Sequence, residues 1–164
     1  MKVLITGGSG FIGAHLIEKL SKNNDVHIMD FTEPLGKYKK FHKADITNFE
    51  DVRNVCKNGF DAIVHLAAKS MPRDLSNVAE FYDINVRGTI NILEVARRCD
   101  VKKFIFASSS SVYGNTKMPQ NEDMQCIPNS FYGASKLACE SFCLLYNRFY
   151  GIDVSIPRFF TNQK

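Results

Sequence analysis

The stretch "TGGSGFIG" (Thr6–Gly13) lies between an apolar, β-branched run, "KVLIT" (2–6), and a segment with helical spacing, "FIGAHLIEKLSK" (11–22). A strand that turns directly into a helix through Gly7, Gly10 and Gly13 constrains the fold more than any other feature of the chain. One glycine permits the tight turn, another lets the backbone approach a pyrophosphate, and Gly13 lets the helix pack close to the strand. Free N–H groups and the positive end of the helix dipole then face the space where phosphates would sit. A glycine trio alone is weak, because turns use glycine routinely. Its position between strand and helix gives it weight.

The rest of the chain repeats the alternation. "DVHIMD" (25–30) reads as a second strand and "KFHKAD" (40–45) as a weaker third, followed by a helix near 48–57. "DAIVHLAA" (61–68) is a strand, 74–99 contains a long helical pattern, and "KKFIFAS" (102–108) is the next strand. "NSFYGASKLACESFCLLYNRFYG" (129–151) forms the next long helix and "DVSIPRFF" (153–160) closes the series. Near-continuous apolar strands alternating with helices predict an α/β fold with a doubly wound parallel sheet, Rossmann-type, over one domain, 1–164. Right-handed crossovers place the C-terminal ends of the strands along one edge, where ligands bind.

Several function classes recede on composition. With 45% hydrophobic and 23% charged residues the chain reads as a soluble globular domain, and no apolar run approaches the length needed to span a bilayer. The net charge of +4 comes from scattered lysines, and "KYKKFHK" (37–43) is too short to argue for nucleic acid. The five cysteines form no CxxC pair. Cys139 and Cys143 lie one helical turn apart without nearby histidine or acidic partners, so buried small side chains are expected and no metal site. A reduced, cytoplasmic protein is the default expectation.

Asp30 ends the second strand, 17 residues beyond Gly13, where a carboxylate can accept hydrogen bonds from ribose hydroxyls. It would repel a 2′-phosphate, which favours NAD over NADP, although a lysine of 37–43 folding back would argue the other way. Tyr132 and Lys136 share a face at the start of a helix. A nearby ammonium is expected to lower the tyrosine pKa and make it a proton donor or acceptor for hydroxyl–carbonyl interconversion. The serine run Ser108–Ser111 alone fits a solvated connector. Placed just past a strand's C-terminal end, it also lies on the ligand edge of the sheet.

These motifs, in this order, resemble the N-terminal, cofactor-binding part of the extended short-chain dehydrogenase/reductases, and within them the NAD-dependent epimerase/dehydratase family. "TGGSGFIG" is similar to that family's phosphate turn, which implies cofactor contacts from Gly7, Gly10, Phe11, Ile12 and Gly13. "ADI" (44–46) resembles the adenine corner, with Asp45 and Ile46 facing the base. "VHLAA" (64–68) resembles the strand end lining the cofactor, through Leu66, Ala67 and Ala68, and "YDINVRGT" (82–89) includes the family-type asparagine, Asn85. "SSSSVYG" and "YGASK" resemble the catalytic stretches, with Ser109 three residues before Val112. The resemblance implies Ser109, Tyr132 and Lys136 as catalytic residues, the last two also touching the cofactor. Ser108 is expected to meet cofactor or backbone. His65 is expected in the core, and Arg158, Glu122 and Asp123 on the substrate side.

Related 4,6-dehydratases carry an Asp-Glu pair where this chain has Ser110 and Ser111, so the resemblance disfavours dehydration. Family members run to roughly twice this length and end in a smaller substrate domain; here that domain is read as absent, with Thr161 at a position relatives fill with asparagine. The implied function is an NAD-dependent sugar-nucleotide epimerase-type enzyme. The alternatives are a reductase of a small carbonyl compound, or a non-catalytic dinucleotide-binding module. Neither nucleic acid nor membrane is an expected partner. A homodimer is expected through the two long helices, on apolar residues Phe81, Ile84, Ile92 and Val95 of one and Leu137, Phe142, Leu145 and Phe149 of the other.

Overall fold

A computed structural model describes residues 1–36, 38–70 and 77–160. Six parallel strands form the main sheet in the order β3-β2-β1-β4-β5-β7: β1 (Lys2–Thr6), β2 (Asp25–Asp30), β3 (Phe41–Lys43), β4 (Ala62–His65), β5 (Lys103–Phe106) and β7 (Asp153–Ser155). Strand order reverses between β1 and β4, so the topological switch point lies at their C-terminal ends. Two further strands, β6 (Ser108–Ser109) and β8 (Arg158–Phe159), form a small separate parallel ladder.

Alternation along each strand feeds two cores. Leu4, Met29, Ile63, Phe104 and Phe106 point to the face covered by helices α2 (Phe49–Cys56), α3 (Gly88–Arg98) and α4 (Phe131–Tyr150). Val3, Ile5, Ile28 and Val64 point to the other face and pack on Ile17 of α1 (Phe11–Leu20). Helices therefore cover both faces, as a parallel sheet requires. Beside α1, an open cleft of about 590 Å³ is lined by Val3, Val64, Ile105, Pro157 and Phe159 among others.

Local signals set the helix starts. Asn48 accepts from the backbone N–H of Glu50 and Asp51 at the head of α2, and Ser130 accepts from Gly133 N–H at the head of α4. The helical pattern expected within 74–99 is described from 79 onward, and residues 74–76 lie outside the described residues. Its stretch Phe81–Arg87 is π-helical, a geometry that accompanies functional sites.

Two expectations need correction. Phe81, Ile92 and Val95 are buried in this chain's own core, so they offer no second face for pairing; on α4, Leu145 and Phe149 are exposed, together with Leu144 and Tyr150. The closing run 153–160 is not one strand but two short ones in different sheets, because Ile156 and Pro157 interrupt it. Cys139 and Cys143 are buried, as expected, and no group of metal-ligating side chains occurs among the described residues. Nor is any described helix long and apolar enough to cross a membrane.

Candidate active site

The switch point opens into a cleft of about 780 Å³, within the range of small-molecule sites. Gly7, Gly10, Asp30, Asp45, Ile46, Leu66, Ala67 and Ala68 line it together, so most residues the sequence assigned to a cofactor meet in one place. The glycine turn is required by close approach. Gly7 sits at φ +71, and a Cβ there would lie 2.5 Å from the backbone nitrogen of Ala67. A Cβ on Gly13 would lie 2.6 Å from Gly8 Cα, so the close packing of α1 that Gly13 permits is against the glycine turn rather than the strand itself. No side chain caps α1. Its first N–H groups, at Phe11, Ile12 and Gly13, are those left unpaired by helix geometry and available to an anion.

Asp30 is anchored before any ligand arrives. Its Oδ2 accepts from Ser9 N–H at 3.0 Å and its Oδ1 from Thr32 N–H at 3.1 Å. Those bonds fix the carboxylate at the cleft wall and leave lone pairs for further donors. None of the described lysines of the basic stretch pairs with it: Lys40 pairs with Asp25, Lys39 is exposed, and Lys43 is exposed opposite Asp30 on the neighbouring strand, while Lys37 lies outside the described residues. Asp45 is similarly held, accepting from the Thr47 N–H at 2.8 Å and from the Thr47 hydroxyl at 2.9 Å.

Asn85 is placed differently from the expectation of a cofactor contact. It is buried and does not line the cleft. Its Oδ1 accepts from Lys69 N–H at 2.7 Å, while its Nδ2 donates to Lys69 O at 3.1 Å and to Ser135 Oγ at 2.9 Å. The amide thus braces the loop after β4 against the first turns of α4. Ser9, Phe31, Thr32 and Arg87 also line the cleft and were not singled out in the sequence. Arg87 had a readable signal: it lies one helical turn after Asp83, with which it pairs at 3.2 Å.

The three residues assigned to chemistry converge beyond the cleft. Ser109 caps the 3-10 turn Ser110–Tyr113, its Oγ accepting from Ser111 N–H at 3.1 Å. The Ser109 hydroxyl donates to Ser111 Oγ at 3.1 Å and lies close enough to the Tyr132 phenol to influence its ionisation. Lys136 Nζ lies 5.8 Å from the centre of the Tyr132 ring and donates to Ala107 O at 2.8 Å. Burial pushes the Tyr132 phenol up and the nearby Ser109 hydroxyl opposes that rise. This differs from the expected lowering by an ammonium, because the Lys136 amine is turned to a carbonyl and is itself desolvated. Burial brings Lys136 from an ordinary 10.5 down to about 8. His65 is a core histidine, as expected, bonded to Thr6 Oγ1 at 2.6 Å and Thr89 Oγ1 at 3.0 Å. Burial first, then the charge of Lys136, takes it down to about 3, so its ring is neutral.

A family model described as the NAD dependent epimerase/dehydratase family matches residues 3–163. The chain belongs to that family. It is 40% identical over 167 residues to a putative UDP-glucose 4-epimerase of Methanocaldococcus jannaschii, covering 96% of this chain and 54% of that relative. Among solved structures it resembles the UDP-glucuronic acid 4-epimerase of Bacillus cereus in complex with UDP-glucuronic acid and NAD, with TM-score 0.85 and 32% identity, over 98% of this chain and 57% of that one. It also resembles a mutated uronate dehydrogenase, with TM-score 0.84 and 26% identity, over 93% of this chain and 56% of that one. The chain spans about half the length of the curated relatives it matches.

Two site expectations remain. The Ser108 side chain turns not to the backbone but to the buried carboxylate of Glu140, to which its hydroxyl donates. Arg158 binds the same carboxylate. With Glu122 it lines a smaller cavity of about 290 Å³, whereas Asp123 is an exposed loop residue and Thr161 lies outside the described residues.

Proposed function

We propose that the chain binds NAD across the switch-point cleft and that Ser109, Tyr132 and Lys136 support transient oxidation of a nucleotide-sugar hydroxyl, as in a 4-epimerase. The observation that carries this reading is the gathering of the Ser109 hydroxyl, Tyr132 and Lys136 on the same sheet edge as the glycine turn. The uncapped α1 and the close approach at Gly7 suit a pyrophosphate, and anchored Asp30 suits two ribose hydroxyls. NAD, when bound, takes a hydride from the carbinol carbon and later returns it. Tyr132 accepts the hydroxyl proton and gives it back to the carbonyl oxygen, so protons balance over the cycle. Ser109 holds the same oxygen. Lys136 supplies a cation whose charge is easily lost.

Net oxidoreduction is a second reading, favoured by the likeness to a uronate dehydrogenase. An epimerase recycles its cofactor, whereas a dehydrogenase accumulates NADH in proportion to product. Calorimetry tests the cofactor part of the reading. NAD is expected to bind more tightly than NADP, with Asp30→Ala narrowing the gap. Equal affinities in the unmodified protein would remove the role given to Asp30.

The reading includes a homodimer on the outer face of α4, where Leu144, Leu145, Phe149 and Tyr150 are exposed together. Light scattering at micromolar concentration is expected to give twice the chain mass, and Phe149→Glu to give the monomer. A monomer in the unmodified protein rejects the assignment.

A further inference from the structure

Glu140 belongs to none of the motifs read from the sequence, yet it is 4% exposed. It lies four residues beyond Lys136 on α4, hence on the same inward face. Three donors converge on its carboxylate: the Ser108 hydroxyl, Arg158 Nε at 3.0 Å and Arg158 Nη2 at 2.7 Å. The remaining fork of the guanidinium, Nη1, donates to the Tyr113 hydroxyl at 2.9 Å. One ion pair therefore joins α4, which carries Tyr132 and Lys136, to β6, to β8 and to the 3-10 turn that Ser109 caps.

The strand carrying Ser109 needs that support. The β6–β8 ladder pairs only Ser108 with Arg158 and Ser109 with Phe159, far short of a self-sustaining sheet. A buried, bidentate arginine–carboxylate pair is a poor source of net stability, but it fixes one geometry and rejects others. We propose that Glu140, through Arg158 and Ser108, is the positioning residue that holds Ser109 against Tyr132. This rests on the reading of Ser109 and Tyr132 as the proton-handling pair.

The geometry gives the test a sign. Removing a nearby negative charge, by itself, makes a phenol easier to ionise and lowers its pKa. Releasing Ser109 takes away a neighbouring hydroxyl that holds the Tyr132 pKa down, and so raises it. The experiment is a pH titration of ¹³Cζ-labelled tyrosine by NMR on the ligand-free chain, with the Tyr132 signal assigned from Tyr132→Phe. Ser109→Ala sets the size of the upward shift when that hydroxyl is lost. Glu140→Gln, nearly isosteric, is expected to shift Tyr132 upward by an amount approaching that value. Glu140→Leu/Arg158→Met, which leaves no buried charge unpaired, is expected to do the same if the single variant folds poorly.

An unmoved or lowered Tyr132 pKa in the folded Glu140 variants, with Ser109→Ala responsive, overturns the positioning role and leaves the catalytic pair standing. An unmoved Tyr132 in Ser109→Ala removes the pair itself, and both readings fall.

Discussion

Lys136 should make the protein less stable at neutral pH than a chain without it. The amine is 2% exposed, and burial lowers its pKa from 10.5 to about 8. Between those values the unfolded chain binds a proton that the folded chain does not, so stability rises with pH across that window. Below pH 8 the lysine is charged in both states and the full desolvation cost is present. Two and a half units correspond to about 3 kcal/mol. Against this stands the bond from Nζ to Ala107 O, worth about 1 kcal/mol net at either pH.

Lys136→Met, close in shape and uncharged, removes both contributions. At pH 7 the variant should be more stable than the parent by about 2 kcal/mol, and at pH 10.5 less stable by about 1 kcal/mol. The two stability curves therefore cross. Buried Cys56, Cys139 and Cys143 have raised pKa values and lose stability as pH climbs past the ordinary thiol range; Lys136 holds the latter two down, so its loss adds to the variant's deficit at high pH and leaves the sign of the crossing unchanged. Urea unfolding of each protein at half-unit pH intervals, without cofactor, gives the comparison. In melting temperature the swing is about 6–12 °C. A difference between parent and variant that stays flat from pH 7 to 10.5 refutes the account, since it means the buried amine is solvated or paired in a way these contacts do not include.

Gly7→Ala adds a left-handed penalty of about 1–2 kcal/mol and forces the Ala67 backbone to shift, about 1–3 kcal/mol more; a loss under about 1 kcal/mol in urea unfolding would contradict the close approach. Asn85→Ala should cost about 2 kcal/mol by orphaning the Lys69 N–H and C=O, while NAD affinity measured by calorimetry falls only modestly, since the side chain braces the cleft from behind. With only these 164 residues, turnover of a nucleotide sugar should lie far below the ~10 per second typical of enzymes, because misplacement of about 1 Å can cost a hundredfold. A turnover assay giving the typical value would show that nothing beyond this chain is needed to hold the sugar.

The main sheet was legible because its information is local. Each strand of β1, β2, β4 and β5 is an apolar run, and each crossover carries a helix period, so the parallel, doubly wound sheet and its handedness follow from general rules. The glycine turn and Asp30 were legible for the same reason: both sit at the end of a strand whose position was already set. Convergence of Tyr132 and Lys136 follows from helical spacing alone. What failed to show was tertiary. A two-residue strand such as β6 has no periodicity to detect, and β8 was absorbed into the neighbouring run across Pro157. The amide of Asn85 could equally have faced a ligand or a neighbouring backbone, and only the packing of α4 on the loop after β4 decides. Glu140 had a faint signal, since helical spacing puts it on the buried face with Lys136, where a carboxylate must find a partner. Sequence could not say that the partner was Arg158.

The two halves of the site are consequently held by different physics. On the cofactor side, Asp30 is fixed by N–H groups of Ser9 and Thr32, and Asp45 by Thr47, all backbone or short-range contacts built onto a well-covered sheet. Ser109, on the catalytic side, depends on contacts between Ser108 and Glu140, 32 residues apart, and between Arg158 and Tyr113, 45 apart. Contacts of that kind form only when α4 and β8 are docked, and they are lost together when either lifts away. Local opening in proteins follows the least-supported segments, and here those are β6 and β8 rather than the glycine turn. A chain can therefore retain a formed dinucleotide cleft while its serine–tyrosine pair comes apart. Cofactor binding and proton transfer are in this sense separable properties of one sheet edge, joined by the inward face of α4.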